Sequence, residues 1–391
     1  MESIEAEKVS GVKKLTVLLH AGFFLVGIIT VLLGQILPIL SVRLSLNDRQ
    51  AGYLFVAQFA GSLLGTFSYN RIIKKIGYLK LLSVSFCLTA FGCAGLNFVS
   101  RLETPAAIFV YGVGIGLAIP TVNLFIVKLN ERKSSSALNI INFFWGAGAI
   151  FCKPLVDSTV SPGNISTLCF LLAGLFLLTG ALFAFSNSPP NLYKDKNSGG
   201  TVSAPIWRTA TARLIAIFGF VHIGIESSVG GWITTYQSRL AAPLTNVRLS
   251  AAFVFFLLLV IGRAVAPLFF RFFGEEVILT GSLIIMTAGA VLILGATGSA
   301  HLIAAAAILG FGSSTVFPTN TARFTKTFGA DSIHNAAPLF ICGSLGGAFT
   351  TWLIGFTSTA FGSLQTGFVI ILISCILLIV LQIVLAAIKL K

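Results

Sequence analysis

The chain has 391 residues, of which 56% are hydrophobic and only 10% are charged, and its mean hydropathy is +0.96. Soluble domains carry about 25% charged residues, so this composition excludes a soluble globular enzyme, a disordered chain and a small disulfide scaffold. A net charge of +14 would suggest nucleic-acid binding in a soluble protein. In a chain this apolar, membrane topology offers another explanation for the charge.

Apolar runs long enough to cross a bilayer recur along the whole chain. A hydrocarbon core of about 30 Å requires roughly 20 mostly apolar residues per spanning helix. The first run is too long for a cleaved signal peptide and is interpreted as a retained helix. The sequence therefore predicts an all-α membrane protein with twelve transmembrane helices, near residues 15–38, 51–70, 79–99, 105–127, 137–156, 165–186, 211–238, 249–270, 277–298, 301–322, 333–358 and 364–388.

The basic residues are distributed unevenly between the predicted loops. With a cytoplasmic N-terminus, 19 of the 26 Lys and Arg residues fall on the inner side and 6 on the outer side, while Arg263 lies within a span. Cytoplasmic loops carry the excess of Lys and Arg in membrane proteins. The sequence thus predicts an inner- or plasma-membrane protein with both termini in the cytoplasm, and the net charge requires no nucleic-acid partner.

The second half of the chain repeats the first at an offset of 197–198 residues. A polar stretch, 187–210, separates the two sets of six helices and predicts a cytoplasmic linker between an N-terminal half, 1–186, and a C-terminal half, 211–391. Two such six-helix halves are the architecture of a secondary transporter that works by alternating access. The matches that keep this register are Gly65 with Gly262, Gly77 with Gly274, Gly112 with Gly310, Gly114 with Gly312, Pro120 with Pro318, and Gly148 with Gly346.

Other classes of membrane protein lack support in the sequence. There is no GxxxxGK[ST] nucleotide loop and no re-entrant filter segment, which disfavours a primary pump and a channel. The six cysteines lie in apolar runs without paired spacing, and the four histidines are scattered. We therefore expect no metal site, no cofactor and no catalytic residue; an enzyme acting on lipid would need an acid–base or nucleophile constellation.

The segment after the second helix reads GTFSYNR at residues 65–71 and is followed by two lysines and Gly77. It resembles the cytoplasmic signature loop of the major facilitator superfamily, except that Tyr69 or Asn70 stands where the family has an acidic residue. The resemblance implies gating roles for Gly65, Arg71 and Gly77. Three further segments, 226–236, 138–148 and 310–319, resemble the seventh, fifth and tenth helices of the branch that contains the fucose permease and the sodium-dependent glucose transporter. This similarity implies sugar transport by a protein that works as a monomer.

Glu226 is the one acidic residue predicted near the middle of the membrane. Charged groups in hydrocarbon are costly, so each is a functional candidate. Glu226 can load and release a proton, with His222 four residues earlier on the same helical face, or it can offer oxygen to sodium together with Ser227. A purely structural hydrogen bond, or a salt bridge to Arg263, is the alternative. Arg263 itself is interpreted either as a substrate or gating contact or as a residue bonded to helix-end carbonyls.

Uncharged polar and aromatic side chains inside the spans are candidates for binding a sugar. Amides form paired hydrogen bonds with hydroxyl groups, and aromatic faces stack on sugar rings. Each candidate has a structural alternative, since buried amides often bridge helices and outer aromatic residues often lie at the interface. The candidate substrate-binding residues are Asn142, Trp145, Gln58, Gln35, Asn123, Asn320 and Trp232.

The leading hypothesis is a secondary active transporter in the lipid bilayer that takes up a monosaccharide with a coupled proton or sodium ion. A multidrug or amphiphile exporter is one alternative, suggested by the 35 phenylalanines. An uncoupled sugar facilitator is another alternative, because a single embedded acid provides few groups with which to bind a coupling ion.

Overall fold

The protein is described by a computed structural model that covers residues 2–98, 100–130, 134–160, 164–186, 206–240, 249–329 and 337–389. The described residues are almost entirely helical, with one 3₁₀ turn at Ile206–Arg208. The α-helices are α1 (Glu2–Arg43), α2 (Asp48–Gly95), α3 (Glu103–Leu129), α4 (Ser134–Thr159), α5 (Ser166–Phe185), α6 (Ala210–Leu240), α7 (Ala251–Phe269), α8 (Glu275–Leu294), α9 (Ser299–Ser313), α10 (Val316–Phe328), α11 (Ala337–Phe361) and α12 (Leu364–Lys389).

Helix α2 contains the second and third predicted spans. Its 48 residues correspond to a length of roughly 72 Å at 1.5 Å per residue, more than twice the hydrocarbon thickness. Gly77 interrupts it with φ 78° and ψ 175°, a left-handed conformation that a residue with a Cβ atom rarely adopts. The chain therefore turns back at Gly77 without a separate loop.

The tenth predicted span is divided into α9 and α10. Helix α9 ends at Ser313 and α10 begins at Val316, so Ser314 and Thr315 form a break within the membrane-spanning segment Ser299–Phe328. The described residues contain eleven apolar segments long enough to cross a membrane. Counting α2 twice gives twelve crossings, and the prediction of an all-helical, multi-pass membrane protein is confirmed.

The helices form two compact units. Unit 1 contains Met1–Leu32 and Ala57–Gly199, and unit 2 contains Leu33–Val56 and Gly200–Lys391. The end of α1 and the start of α2 thus pack with the second six helices, whereas the sequence assigns them to the first half. Most of the predicted linker, residues 187–205, lies outside the described part of the chain.

Close contacts between helices repeat at the spacing found in the sequence. A Cβ atom added to Gly112 would overlap the backbone carbonyl oxygen of Gln58, and one added to Gly310 would overlap that of Phe255. The two contacts are related by the same offset of 197–198 residues as the glycines themselves. Small residues permit such backbone contact between membrane helices, so the repeat in the sequence is also a repeat in packing.

Candidate transport site

Glu226 on α6 faces Arg263 on α7 in the interior of unit 2. Its Oε2 atom lies 3.5 Å from the Nη2 atom of Arg263, and the two side chains are 14% and 29% exposed. Oε2 has no hydrogen-bond partner among the described residues. Arg263 also donates from Nε to the backbone carbonyl of Ser314, at 3.3 Å. The carboxylate is therefore held by charge rather than by a fixed hydrogen bond.

His222 lies one turn before Glu226 and is fully buried. Its Nε2 atom is 3.0 Å from the hydroxyl oxygen of Ser313, the last residue of α9. Nδ1 of His222 has no partner in the described part of the chain. Two buried polar atoms without partners, Nδ1 of His222 and Oε2 of Glu226, thus belong to neighbouring turns of one helix.

The break between α9 and α10 meets this polar group directly. The Ser314 carbonyl accepts from Arg263, and the Thr315 hydroxyl lies 2.7 Å from the hydroxyl of Ser282 on α8. Gly262 has no room for a Cβ atom because the Ser314 side chain fills that space. Interrupted helices in transporters expose backbone groups that bind solutes and ions, so the break supplies polar groups at the level of Glu226.

Ser227, the third residue of the predicted ion site, is half-buried beside Glu226. The neighbouring Ser228 is buried, and its hydroxyl lies 3.2 Å from that of Thr351 on α11. The serines after Glu226 therefore differ in environment. Ser228 joins α6 to α11.

In unit 1, Asn142 and Asn123 form an amide pair between α4 and α3. Asn142 donates from Nδ2 to the Asn123 side-chain oxygen at 3.3 Å and to the Leu138 carbonyl at 2.8 Å. Asn123 donates to the Ile119 carbonyl at 3.0 Å. Asn142 is exposed and Trp145, one turn later, is half-buried. These two side chains keep accessible surface with which a solute can interact.

Four other predicted substrate residues are buried and join helices. Gln58 donates to the Thr30 carbonyl at 2.9 Å and accepts from the Tyr111 hydroxyl at 3.1 Å. The amide oxygen of Gln35 accepts from the Thr234 hydroxyl at 2.8 Å. Asn320 donates to the Ile215 carbonyl at 3.1 Å and Trp232 to the Thr351 carbonyl at 2.9 Å. These bonds fit the structural alternative, although Nε2 of Gln35 and Oδ1 of Asn320 remain without partners among the described residues.

The residues assigned to gating have distinct environments. Gly65 packs directly on the α3 backbone at Val113. Gly77 makes the turn in α2, and Arg71, one and a half turns earlier, is exposed. Arg263 makes the salt bridge to Glu226 that was the structural alternative for that acid, and it also bonds to a carbonyl at the end of α9; its gating role stays a prediction.

One polar cluster in unit 2 was not predicted from the sequence. The Asp48 cluster consists of Asp48, Arg239 and Ser358, from the beginning of α2 and the ends of α6 and α11. Arg239 donates to both carboxylate oxygens of Asp48 at 2.8 and 2.5 Å, and the Ser358 hydroxyl donates to one of them at 2.5 Å. Asp48 lies at the end of a predicted span, and no local pattern links it to a residue 191 positions away.

The family model described as Major Facilitator Superfamily matches residues 19–337. A glucose/galactose transporter of Brucella abortus biovar 1 (strain 9-941) is 24% identical over 233 residues, covering 55% of this chain and 56% of that protein. The L-fucose-proton symporter of Escherichia coli (strain K12) is 23% identical over 390 residues, covering 89% and 88%.

The crystal structure of the nucleoside transporter NupG superposes with a TM-score of 0.73 at 12% identity, over 95% of this chain and 98% of that one. This likeness concerns the fold alone. The chain spans about half the length of the first curated relatives it matches.

Proposed function

Because the chain belongs to the Major Facilitator Superfamily, we propose that it moves a monosaccharide across the membrane by alternating access, coupled to a proton through Glu226. The family and its relatives make the protein a transporter and not an enzyme. We further propose that the protein works as a monomer in the inner or plasma membrane, with both termini in the cytoplasm.

A sugar as substrate rests on the relatives and on the amide pair of unit 1. Curated relatives are named as transporters of glucose and galactose and as an L-fucose-proton symporter. The bonds that Asn142 and Asn123 make use the Nδ2 groups as donors, which leaves the Asn142 side-chain oxygen available to accept from a sugar hydroxyl. Trp145 adds an aromatic surface one turn away, of the kind that stacks on sugar rings.

A proton as the coupling ion rests on the position of Arg263, the observation that carries the proposal. The guanidinium already supplies the positive charge that Glu226 needs, at 3.5 Å. A proton and a sodium ion would each add one positive charge beside this guanidinium, but sodium also needs several oxygen ligands around it, and Arg263 already occupies one side of the carboxylate. A proton binds to the carboxylate oxygen itself and needs no such set of ligands.

Proton uptake by Glu226 would also change the interactions at the helix break. Arg263 would lose its counter-charge and keep its bond to the carbonyl of Ser314. Removal of one partner from a buried ion pair is strongly unfavourable. We propose that the system relieves this cost by binding solute or by moving α7 relative to the break, which couples protonation to transport.

The direct test is uptake of labelled hexoses into liposomes that contain the full-length protein. A hexose should accumulate under an inward proton gradient, and an equal sodium gradient should have no effect. Glu226→Gln should abolish accumulation but retain exchange of internal and external sugar, because a neutral amide imitates the protonated acid. Asp157→Asn, which alters an acid paired with Lys153 within α4, is the matched control and should accumulate normally.

Other outcomes distinguish the alternatives. If no hexose is taken up, the sugar assignment is wrong, and an amphiphile exporter becomes the better hypothesis. Hexose flux that ignores both gradients and is unchanged in Glu226→Gln would indicate an uncoupled facilitator. Accumulation driven by sodium alone would overturn the proton assignment.

A further inference from the structure

The internal repeat places two equivalent turns at the ends of helices, one in each unit. In unit 1 the turn at Gly77 separates the two spans of α2, and in unit 2 Gly274 separates α7 from α8. The two glycines are 197 residues apart in the sequence. The side chains that follow them can therefore be compared position by position.

In unit 2 the residues after Gly274 are acidic, and they are paired with basic residues of α10. Glu275 forms an ion pair with Lys326. Glu276 accepts from Arg323 at 3.1 Å and from the side-chain amide of Gln382 at 2.5 Å. Arg323 and Lys326 of α10 are thus paired with acids of the turn itself.

In unit 1 the same positions make contacts of a different kind. At the positions that correspond to Glu275 and Glu276, unit 1 has Tyr78 and Leu79. The residue that corresponds to Lys326 is Lys128, 198 positions earlier. The Lys128 ammonium lies 5.3 Å from the centre of the Tyr78 ring, which stacks on Phe125 at 5.0 Å. A cation–π contact replaces the ion pair, so the turn keeps its attachment to the neighbouring helix and lacks its acids.

This replacement leaves a concentration of positive charge. Four basic residues with exposed side chains lie on either side of Gly77 in the sequence. We call this group the basic turn; its members are Arg71, Lys74, Lys75 and Lys80. The sequence contains no Asp or Glu between residues 49 and 102. Within the described ranges, no ion pair involves any of the four.

We propose that the basic turn binds the headgroup of an anionic phospholipid. A group of Lys and Arg residues directly after a membrane span attracts anionic lipids by the charge of their headgroups. Leu64 and Phe67, in the last turns of the same span, are 50% and 59% exposed. They provide an apolar surface beside the basic turn, as an acyl chain requires, and this favours a lipid over a soluble phosphate.

The test compares thermal unfolding of the detergent-solubilised, full-length protein in micelles doped with phosphatidylglycerol or with phosphatidylcholine. A ligand that binds only the folded state raises the unfolding midpoint. We expect phosphatidylglycerol to raise it by about 3 °C or more relative to phosphatidylcholine. The rise should shrink as salt screens the charges.

Two matched variants separate the basic turn from overall charge. Combined Gln substitution of Arg71, Lys74, Lys75 and Lys80 should remove the effect of phosphatidylglycerol. Combined Gln substitution of the exposed residues Lys13, Lys14, Arg208 and Arg213 removes the same charge from scattered positions and should preserve it. Equal loss in both variants, or no loss in the first, would overturn the proposal.

A single substitution gives an independent readout if the fourfold variant does not fold. Tyr78→Glu introduces the acid that unit 2 has at this position, opposite Lys128, and should at least halve the effect of phosphatidylglycerol. An unchanged effect in this variant would contradict the proposal. If inorganic phosphate at millimolar concentration raises the midpoint of the unmodified protein as much as the lipid does, the ligand is a soluble anion and the lipid assignment is wrong.

Discussion

Asp48 and Arg239 form a two-pronged ion pair, with N–O distances of 2.8 and 2.5 Å, although 191 residues separate them in the sequence. Asp48 begins α2 and Arg239 is in the last turn of α6. Around them, the Arg49 backbone N–H donates to the Thr359 hydroxyl at 2.8 Å, and the Asp48 backbone fills the space beside Gly355. The segment Leu33–Val56 is thereby attached to the rest of unit 2.

The first prediction concerns this attachment. The proposed alternating access requires the predicted outer ends of α1 and α2 to separate from the second half, and Asp48→Asn removes the negative charge that holds Arg239. The reporter is Thr234→Cys, at a buried position beside Gln35. With Asp48→Asn added, we expect this cysteine to react about 10-fold faster with an external, impermeant maleimide than it does without that change. A 10-fold increase corresponds to a shift of about 1.4 kcal/mol in the free energy of opening. The half-buried Cys87 and Cys342 are replaced by Ser in the background.

Two controls make this measurement specific. Asp157→Asn breaks an ion pair within α4 and should leave the labelling rate unchanged. Reversal of the pair, Asp48→Arg with Arg239→Asp, should return the rate towards that of the background. Equal labelling of the Asp48→Asn and background proteins would mean that the ion pair does not restrain the segment.

The second prediction concerns the charge balance around Glu226. Arg263→Gln leaves the carboxylate without its cation, and loss of one partner from a fully buried pair costs about 3–5 kcal/mol. Because the Arg263 side chain is 29% exposed, we expect a smaller loss of unfolding free energy, about 1–2 kcal/mol. The double variant Glu226→Gln/Arg263→Gln should recover most of it, as measured by denaturation in detergent. The single variant Glu226→Gln completes the cycle, and a loss in the double variant equal to the sum of the two single losses would show that the two groups are not coupled.

The third prediction separates a solute contact from a structural bond. Asn142→Ala removes an exposed amide, and loss of a hydrogen bond to substrate costs about 1–1.5 kcal/mol. We expect the KM for the transported hexose to rise about 10-fold, with little change in stability. Initial rates of uptake over a range of sugar concentrations provide the measurement.

Gln58→Leu is the comparison for Asn142→Ala. Gln58 joins the Thr30 carbonyl to the Tyr111 hydroxyl in the interior of unit 1. Its loss leaves buried polar atoms without partners, which costs about 1–3 kcal/mol. We expect lower thermal stability and an unchanged KM. A raised KM in Gln58→Leu together with lower stability in Asn142→Ala would mean that Gln58 contacts the solute and Asn142 is structural.

The fourth prediction concerns the matched glycines of α4 and α11. A Cβ atom on Gly148 would overlap the Phe24 carbonyl, and one on Gly346 would overlap the Phe220 carbonyl. Gly148→Ala and Gly346→Ala should therefore each separate a pair of helices and reduce uptake at least about 10-fold, since overpacking costs about 1–3 kcal/mol. Gly174→Ala, which has no neighbouring atom within 4 Å, should transport normally. Normal transport by both matched variants would show that the helices at these two contacts can move apart without loss of function.

Features that depend on local pattern were predictable from the sequence. Hydropathy is local, so the spans were found, and the spacing of glycines such as Gly112 and Gly310 anticipated matched helix contacts. The ion pair of Glu226 with Arg263 was one of the stated alternatives, since embedded charges have few possible partners. Pairing of Asp48 with Arg239 was not predictable, because it depends on how distant helix ends meet. The break at Ser314 was also missed, although Pro318, four residues later, lacks the N–H that a continuous helix would donate to the Ser314 carbonyl.

That break has a mechanical consequence for the tenth span. A continuous α-helix transmits a tilt along its whole length, because each turn is hydrogen-bonded to the next. At Ser314 and Thr315 the backbone stays in the α region, but the Ser314 N–H bonds to the Phe311 carbonyl and Pro318 cannot donate to the Ser314 carbonyl. With fewer hydrogen bonds between its turns, the span resists bending least at this level. Arg263 and His222 make their contacts at the same level, so any bending of the tenth span is concentrated beside them.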